Sequence, residues 1–433
     1  MTLPPNHPQR KSLNDEVHAR PSEVLGTPSR LSYLVLLTPG SLSEADWQPL
    51  AALAQRYEAI PPRPGANHYS GDFGPFRLRW ERHTEFTRYT FIASGMGENP
   101  FADPAIDTVP DDWLAELPGQ VLMANHTAVV PPGHVPEEID LLSARYFSGN
   151  VLMGSDIGDG AALTLKDFRI QGDGFSRLLV VNRSMPERQT GLTVQRLLEI
   201  DTYRLLALLA LPTARAQIPL LNDLEQELAQ ITTAISEIGG KEERHLLERL
   251  TRLQAESESR HAASSYRFSA SEAYYALVRR RIEELRETRH PGLQSLEEFT
   301  DRRLAPAMNT CQSVAKRQES LSVRAARATQ LLSTRVEIAS QAQNQSLLEA
   351  MNRRAKLQLR LQQTVEGLSV AAISYYIVGL VGYAAKAAKA GGLGIDPALI
   401  TGLSIPIVAL AVAGGVRRIR KLVKLEDQPQ ARG

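Results

Sequence analysis

The sequence predicts an α+β or α/β N-terminal domain, a long helical bundle or coiled-coil stalk, and a C-terminal hairpin of two transmembrane helices. Three observations predict this order: short apolar runs between Gly, Pro and Asp, a long stretch without Pro or Gly, and two uncharged apolar runs near the C-terminus. The expected divisions are an N-terminal arm at 1–29, the α/β domain at 30–189, the helical stalk region at 190–367, the transmembrane hairpin at 368–416 and a basic cytoplasmic tail at 417–433.

The N-terminal domain is predicted from apolar runs of strand length, separated by turn residues. Two of these runs, 76–82 and 87–94, are joined by only four residues and predict a hairpin. A long helix with an apolar face is expected from Thr190 onward and links this domain to the stalk. The remaining strands are predicted at 32–37, 120–130, 150–157, 162–170 and 175–182.

The stalk is predicted from residues 307–366, which contain neither Pro nor Gly. A helix of this length extends roughly 90 Å at 1.5 Å per residue, and we expect it to continue into the first membrane span. Whether its apolar residues contact the same chain or a second copy stays open. They recur every three or four positions as an imperfect coiled-coil seam, at Leu321, Ala325, Ala328, Leu332, Val336 and Ala339, and again at Leu347, Met351 and Ala355.

The membrane hairpin consists of residues 368–385 and 398–416, which carry no charge and approach the ~20 residues that a spanning helix needs. A pair of buried helices in a soluble core is the alternative. The connecting loop has two basic residues, Lys386 and Lys389, whereas the flanks have nine. The positive-inside rule therefore predicts cytoplasmic N- and C-termini. The basic flanking residues are Arg353, Arg354, Lys356, Arg360, Arg417, Arg418, Arg420, Lys421 and Lys424.

One stripe of the first span differs from the others because it mixes small and hydroxyl-bearing side chains. We expect this stripe to face protein or a pore, and the wholly apolar stripe to face lipid. Its members are Ser369, Ala372, Tyr376, Gly379 and Tyr383.

Composition narrows the function classes. Lys and Arg number 49 against 48 Asp and Glu, so no overall field favours nucleic acid, and no nucleic-acid partner is expected. Cys311 is the single cysteine, which excludes an internal disulfide and a Cys-based zinc site and fits a reducing compartment. The first twenty residues lack the apolar core of a signal peptide, so the bulk of the chain is expected in the cytoplasm.

No common catalytic motif is present: GxxxxGK[ST], GxGxxG, HExxH and GxSxG are all missing from the sequence. We therefore expect no enzyme activity, no cofactor and no metal site. GSDIGDGAA is interpreted as a β-turn. Two polar clusters remain candidates: Asn14, Glu16, His18 and Arg20 in the arm, and Glu81, His83 and Glu85 in the hairpin.

The hairpin cluster could bind a divalent metal or transfer a proton, because alternating residues on a strand point the same way. The alternative is a salt-bridged histidine on an exposed hairpin face. For the arm cluster, the alternative is packing onto the domain through ion pairs.

Four segments together resemble a bacterial family of predicted membrane-anchored proteins of unknown function, over nearly the whole chain. They are HPQRKSLNDEVHARP, WERHTEFTRYTF, VQRLLEIDTYRLLALLALP and SYYIVGLVGY. The resemblance implies a multi-pass protein of the bacterial inner membrane, without known catalytic residues.

In layout alone, the chain also resembles the CorA-type magnesium transporters. Those transporters have Gly-Met-Asn at the outer end of the first span, where this chain has GYAAKAAKAGG. Lys386 and Lys389 would repel cations there.

Two function hypotheses follow. The first is a membrane-anchored, self-associating scaffold or sensor that displays the α/β domain to a cytoplasmic protein partner. The second is an oligomeric channel or transporter whose pore is lined by the Ser369 stripe. The expected partners are the lipid bilayer, further copies of the chain and a cytoplasmic protein.

Overall fold

The computed structural model describes residues 6–11, 14, 22–38, 44–237, 241–392 and 394–426. Glu16, His18 and Arg20 of the predicted arm cluster lie outside the described residues, as do the side chains of three predicted tail cations, Arg420, Lys421 and Lys424. The chain divides into two compact units. The first comprises Met1–Gly239 and His245–Gln330, and the second comprises Gly240–Arg244 and Leu331–Gly433.

The first unit contains a mixed sheet with the strand order β2-β3-β4-β1-β5-β8-β7-β6-β9. Its only parallel pairing among the described strands joins β5 to β8. The strands are β1 (Ser29–Leu37), β2 (His68–Asp72), β3 (Arg77–Arg82), β4 (Phe86–Ser94), β5 (Gln120–Val130), β6 (Met153–Ile157), β7 (Ala162–Lys166), β8 (Ser176–Asn182) and β9 (Thr288–Arg289). The predicted mixed α/β class is confirmed, since long helices follow this sheet.

Alternation along β3 and β4 gives the sheet two different faces at this end. Trp80, Tyr89 and Phe91 point into an aromatic core that also contains Trp113 and the buried leucines of α1 (Gln48–Arg56). Arg79, Glu81 and Arg88 therefore occupy the opposite face. That face is covered by α4 (Glu187–Leu208), whose buried residues run along most of its length.

The predicted hairpin of β3 and β4 is present, with Glu81 directly opposite Arg88. The predicted alternation of Glu81, His83 and Glu85 along one strand is wrong, because β3 ends at Arg82 and the last two residues lie in the turn. Strands β2 and β9 were not predicted. The GSDIGDGAA segment forms the tight turn between β6 and β7, with Asp159 and Gly160 at positive φ, as expected.

Short helices α2 (Asp111–Ala115) and α3 (Ile139–Tyr146) pack on the sheet, and the rest of the chain is mostly long helix. The long helices are α5 (Ala210–Glu237), α6 (Lys241–Leu285) and α8 (Ala305–Ala390), with α7 (Leu296–Arg303) preceding the last. In the first unit, α6 and α8 are antiparallel neighbours, since Ser257 pairs with Ser322 at 3.0 Å and Ser264 with Gln318 at 3.1 Å. The predicted continuation of the stalk helix into the first span is confirmed by α8.

The predicted seam on α8 is buried in one part of the helix and exposed in another. Leu321 and Ala325, in the first unit, are buried within the chain, so this part of the seam is intramolecular. In the second unit, Leu347 and Met351 are about 60% exposed, and residues 337–365 are exposed throughout. The α8 helix is followed by α9 (Pro397–Glu426), which ends the described chain.

Three helical stretches among the described residues are long and apolar enough to cross a membrane: Glu187–Glu237, Leu296–Ala390 and Pro397–Arg418. The second and third contain the two predicted spans, and the first was not predicted as a span. The apolar window of the first stretch is 28% buried within the chain, against 6% and 0% for the others.

Candidate functional site

The β3–β4 hairpin places a buried carboxylate, Glu81, between two arginines. Its side chain is 1% exposed and accepts a hydrogen bond from Arg79 Nε at 2.7 Å. It also forms an ion pair with Arg88 across the strands, and His83 Nε2 lies 3.6 Å from its second oxygen. The hairpin cluster is therefore enclosed, unlike the exposed face considered from the sequence.

Helix α4 extends this pairing with a second buried carboxylate, Glu199. Arg88 Nη1 contacts Glu199 Oε1 at 3.2 Å, and Arg281 of α6 donates from Nε to Glu199 Oε2 at 2.6 Å. The charges of Arg79, Glu81, Arg88, Glu199 and Arg281 thus alternate in sign along one chain of contacts, which we call the buried charge network. It joins two strands to two helices.

The network is held in its charged form. Burial alone would raise the pKa of Glu81, but the neighbouring His83 imidazole and the charges of Arg88 and Arg79 outweigh it and hold that pKa well below its usual range. Burial opposes ionisation of Glu199 in the same way, and Arg88, Gln195 and Arg281 lower its pKa overall. Removing one member would leave an uncompensated buried charge.

Glu85, the third residue of the predicted hairpin cluster, points away from the network and toward α6. It forms an ion pair with Arg267 and accepts a hydrogen bond from Tyr274 Oη at 2.8 Å. Burial, the hydrogen bond to Glu85 and its negative charge raise the pKa of Tyr274. The cluster is therefore divided between two sets of contacts, and each of them ties the hairpin to helices.

A second buried ion pair joins β7 to α4. Lys166 Nζ lies 2.7 Å from Asp201 Oδ2, and both side chains are at most 5% exposed. Burial lowers the pKa of Lys166 although Asp201 opposes this shift. Phe168 lies beneath Lys166 and stacks on Phe299 of α7 with ring centroids 4.0 Å apart. The amine is too enclosed to reach a substrate.

One pair that the sequence did not indicate, Ser32 and His126, has the residue types of a nucleophile and a base. Ser32 Oγ lies 3.0 Å from His126 Nδ1 and accepts a hydrogen bond from the Ile106 backbone at 3.1 Å. Burial lowers the pKa of His126 to about 4, and Phe175 stacks on its ring at 3.9 Å. Ser32 has no exposed surface. The pair therefore fixes β1 to β5 inside the fold.

Among the residues that the structure describes, no three His, Cys, Asp or Glu side chains are grouped so as to hold a metal ion. The described member of the arm cluster, Asn14, is exposed. In strand β6, before the β6–β7 turn, Asp156 contacts Arg183 Nη1 at 2.6 Å and His290 Nδ1 at 2.9 Å, so its carboxylate is already paired.

The predicted stripe of the first span is not the face that packs within the chain. Tyr376 and Tyr383 are more than 70% exposed. Instead, Gly382 lies against α9, since a Cβ on it would be 3.2 Å from Thr401 Oγ1. The partly or fully buried face of α8 here comprises Val370, Ser374, Val378, Val381 and Ala385.

A family model described as "Protein of unknown function (DUF3422)" matches residues 5–423. The chain belongs to this family. A comparison with curated proteins and one with solved structures each found no match. The predicted resemblance to an uncharacterised family over nearly the whole chain is thereby confirmed.

The matched range of the DUF3422 model runs through the sheet, the buried charge network and both apolar C-terminal segments. The family description carries no activity, so the function must be argued from the contacts above.

Proposed function

We propose that this protein is a multi-pass inner-membrane scaffold or sensor that self-associates and displays its sheet domain to a cytoplasmic protein. The observation that carries the proposal is an exposed, largely apolar stripe on α8 that is interrupted by Arg354 and Gln358. In the stalk it comprises Leu347, Met351, Leu361, Val365 and Leu368, each about 59–74% exposed.

The stripe continues into the apolar segment at the same three- or four-residue spacing, through Ala372, Tyr376, Gly379 and Tyr383, with Ser369 beside it. It lies on the side of α8 away from the face that contains Gly382 and Ala385. Exposed apolar side chains that recur over this length mark an interaction site, and heptad-like spacing favours a second copy of the same helix.

The ion pairs of the first apolar stretch favour two membrane spans rather than three. The Glu187–Glu237 stretch contains Glu199 and Asp201, both buried and ion-paired with residues of the sheet. A charged side chain is costly inside lipid, so α4 is better explained as the helix that covers the sheet. The C-terminal apolar segments have almost no cover from their own chain.

We assign both termini to the cytoplasm. Arg353, Arg354 and Arg360 are exposed before the first span, and Arg417 and Arg418 are exposed after the second. These positions outnumber the two lysines of the connecting loop, and the side with more basic residues stays cytoplasmic.

The domain acts by binding rather than by catalysis in this proposal. The buried charge network and the Lys166–Asp201 pair are enclosed, and they fix the sheet to α4 and α6 as a single rigid body. A rigid body with enclosed polar groups suits recognition by its outer surface. Neither a cofactor nor nucleic acid enters the proposal.

Self-association is tested by two leucine substitutions that differ only in the face they occupy. Leu361 belongs to the stripe, whereas Leu359 lies on another side of the helix, and both are more than half exposed. Leu361→Lys should lower the molar mass of the purified full chain in detergent, measured by light scattering, because it places a charge in the interface. Leu359→Lys should leave the mass unchanged. A monomeric wild-type chain, or equal effects of both variants, would contradict the proposal.

Orientation is tested by labelling engineered cysteines in a Cys311→Ser background with an impermeant maleimide. Lys389→Cys should react in intact cells, and Gln343→Cys only after permeabilisation. The reverse pattern would overturn the assigned topology.

A channel or transporter is the second candidate function, since the stripe includes exposed tyrosines that could line water. Cysteines at Ser369, Tyr376 and Gly379 distinguish the two candidates. Protection from aqueous thiol reagents at all three positions contradicts a pore, and reaction at all three supports one.

A further inference from the structure

The segments next to the membrane spans carry an excess of positive charge, with Glu366 as the one acidic residue between Arg353 and the first span. Between Glu349 and Glu366 the stalk contains four basic residues and no acidic one. All four are exposed, and within the part of the chain that the structure describes none of them has an ion-pair partner. By contrast, Arg335 in the same helix is paired with Glu243 at 2.7 Å.

Three of these cations, Arg353, Lys356 and Arg360, share one helix face. In the first span, the face of α8 that packs toward α9 recurs every three or four residues. Continued toward the N-terminus at the same period, this face reaches Arg360. Its members in the span are Ala385, Val381, Val378, Ser374 and Val370. The cations therefore lie on the α9 side of the stalk and away from the stripe proposed for self-association.

Helix α9 brings further positive charge to the same place. The chain reverses between α8 and α9 within the six residues 391–396, and Gly382 contacts Thr401 where the two helices meet. If both helices rise 1.5 Å per residue in opposite directions from that contact, Arg417 and Arg418 lie level with about residues 365–366 of α8. The α9 backbone continues as helix to Glu426. Arg417 and Arg418 are exposed and unpaired among the described residues. Two helices thus present cations toward one zone.

The span-proximal edge of this zone lies within electrostatic reach of a lipid headgroup layer. Arg360 precedes the first span by eight residues, which is about 12 Å of helix, and Lys356 by about 18 Å. The headgroup region extends about 5–8 Å beyond the core, and electrostatic attraction extends roughly a further 8 Å at physiological salt. Long basic side chains span the difference.

We infer that Arg353, Lys356, Arg360, Arg417 and Arg418 form a binding surface for anionic lipid headgroups on the cytoplasmic leaflet. The inference rests on the proposed hairpin topology and extends it from orientation to lipid selection. Like charges on adjacent helices repel, so a bound anion lowers the free energy of the arrangement. Clusters of four to eight basic residues directly beside a span are recognised by anionic lipids.

The test measures lipid affinity on the purified full chain in neutral detergent, where orientation plays no part. Phosphatidylglycerol is titrated against phosphatidylcholine, and bound lipid is counted by native mass spectrometry. The triple variant Arg353→Gln, Lys356→Gln, Arg360→Gln should weaken phosphatidylglycerol binding by roughly fivefold per charge, about 100-fold in total. Its positions are exposed, so the fold is not at issue.

The matched control is Arg303→Gln, Arg324→Gln, Arg327→Gln, which removes the same charge from exposed positions earlier in the chain, farther in sequence from the spans. It should bind phosphatidylglycerol like the wild type, and binding to the wild type should fall with salt. Equal affinity for the two lipids, or an unchanged triple variant, would overturn the inference. Displacement of the lipid by equimolar inorganic phosphate, an acidic peptide or duplex DNA would overturn the choice of a lipid partner. The labelling of Lys389→Cys tests the topology separately.

Discussion

Replacing Arg88 by methionine is expected to destabilise the first unit by about 3–5 kcal/mol. Arg88 is the cation between Glu81 and Glu199, and its side chain is 7% exposed. Methionine fills a similar volume, but it cannot neutralise Glu81 and Glu199, the two buried carboxylates that Arg88 contacts. This magnitude is the usual free-energy cost of removing one partner from a buried, hydrogen-bonded ion pair. That cost is several times the free energy lost when an exposed ion pair is broken.

The chain contains its own reporters for this experiment, because all three tryptophans, Trp47, Trp80 and Trp113, lie in or against the aromatic core of the sheet. Unfolding of the full chain in detergent is followed by tryptophan fluorescence, and a loss of this size lowers the midpoint by roughly 5–15 °C. Arg56→Met is the matched control, since Arg56 pairs with Asp112 at 2.8 Å while both side chains are more than half exposed. It should cost about 1 kcal/mol or less. If the two variants unfold within 2 °C of each other, the network does not stabilise the fold as argued.

Two further predictions are read out in the same way. Gly191→Ala should lower the midpoint, because a Cβ there would lie 1.7 Å from the Glu23 carbonyl oxygen, whereas Gly367→Ala, with no atom within 4 Å, should not. His126 has a pKa of about 4 in the folded state against about 6.5 unfolded, so the unfolded chain binds the proton more tightly and stability rises with pH between those values. His126→Asn should remove about 3 kcal/mol of this pH dependence, and a wild-type midpoint that does not change between pH 4.5 and 7 would contradict the assignment.

Local composition is enough to predict the strands that are apolar runs and the helix that contains no Pro or Gly. Strands β1, β4, β5 and β8 are runs of buried residues, and α8 is long because nothing in residues 307–366 interrupts a helix. Strands β2 and β9 have no such run: HYSGD is polar, and β9 has only two residues. Their pairing depends on the strands beside them, which a local pattern does not contain.

The buried charge network shows the limit of sequence patterns at the site. The sequence makes Glu81 a candidate because it lies in a polar cluster. Its place in the network, however, depends on Arg88, and Arg88 also contacts Glu199, which is 111 residues away in the sequence. That contact requires the order of the strands and the placement of α4. A weak signal is present, since Glu199 and Asp201 lie within the run LLEIDTYRLL on a helix whose apolar face covers the sheet, and charges at such positions need partners.

The same two carboxylates bear on the number of membrane spans. Composition alone allows three, whereas the ion pairs of Glu199 and Asp201 with the sheet are the reason that the proposed topology does not count Glu187–Glu237 as a span. A chain that ends at Glu366 therefore loses both proposed spans and should leave the membrane. In a density flotation experiment it should stay with the soluble proteins, whereas the full chain floats with the lipid. Aggregated protein sinks in this assay and is not mistaken for membrane insertion. If the shortened chain floats and resists carbonate extraction, α4 and α5 insert into lipid, and the packing of α4 on the sheet could not be its state in the membrane.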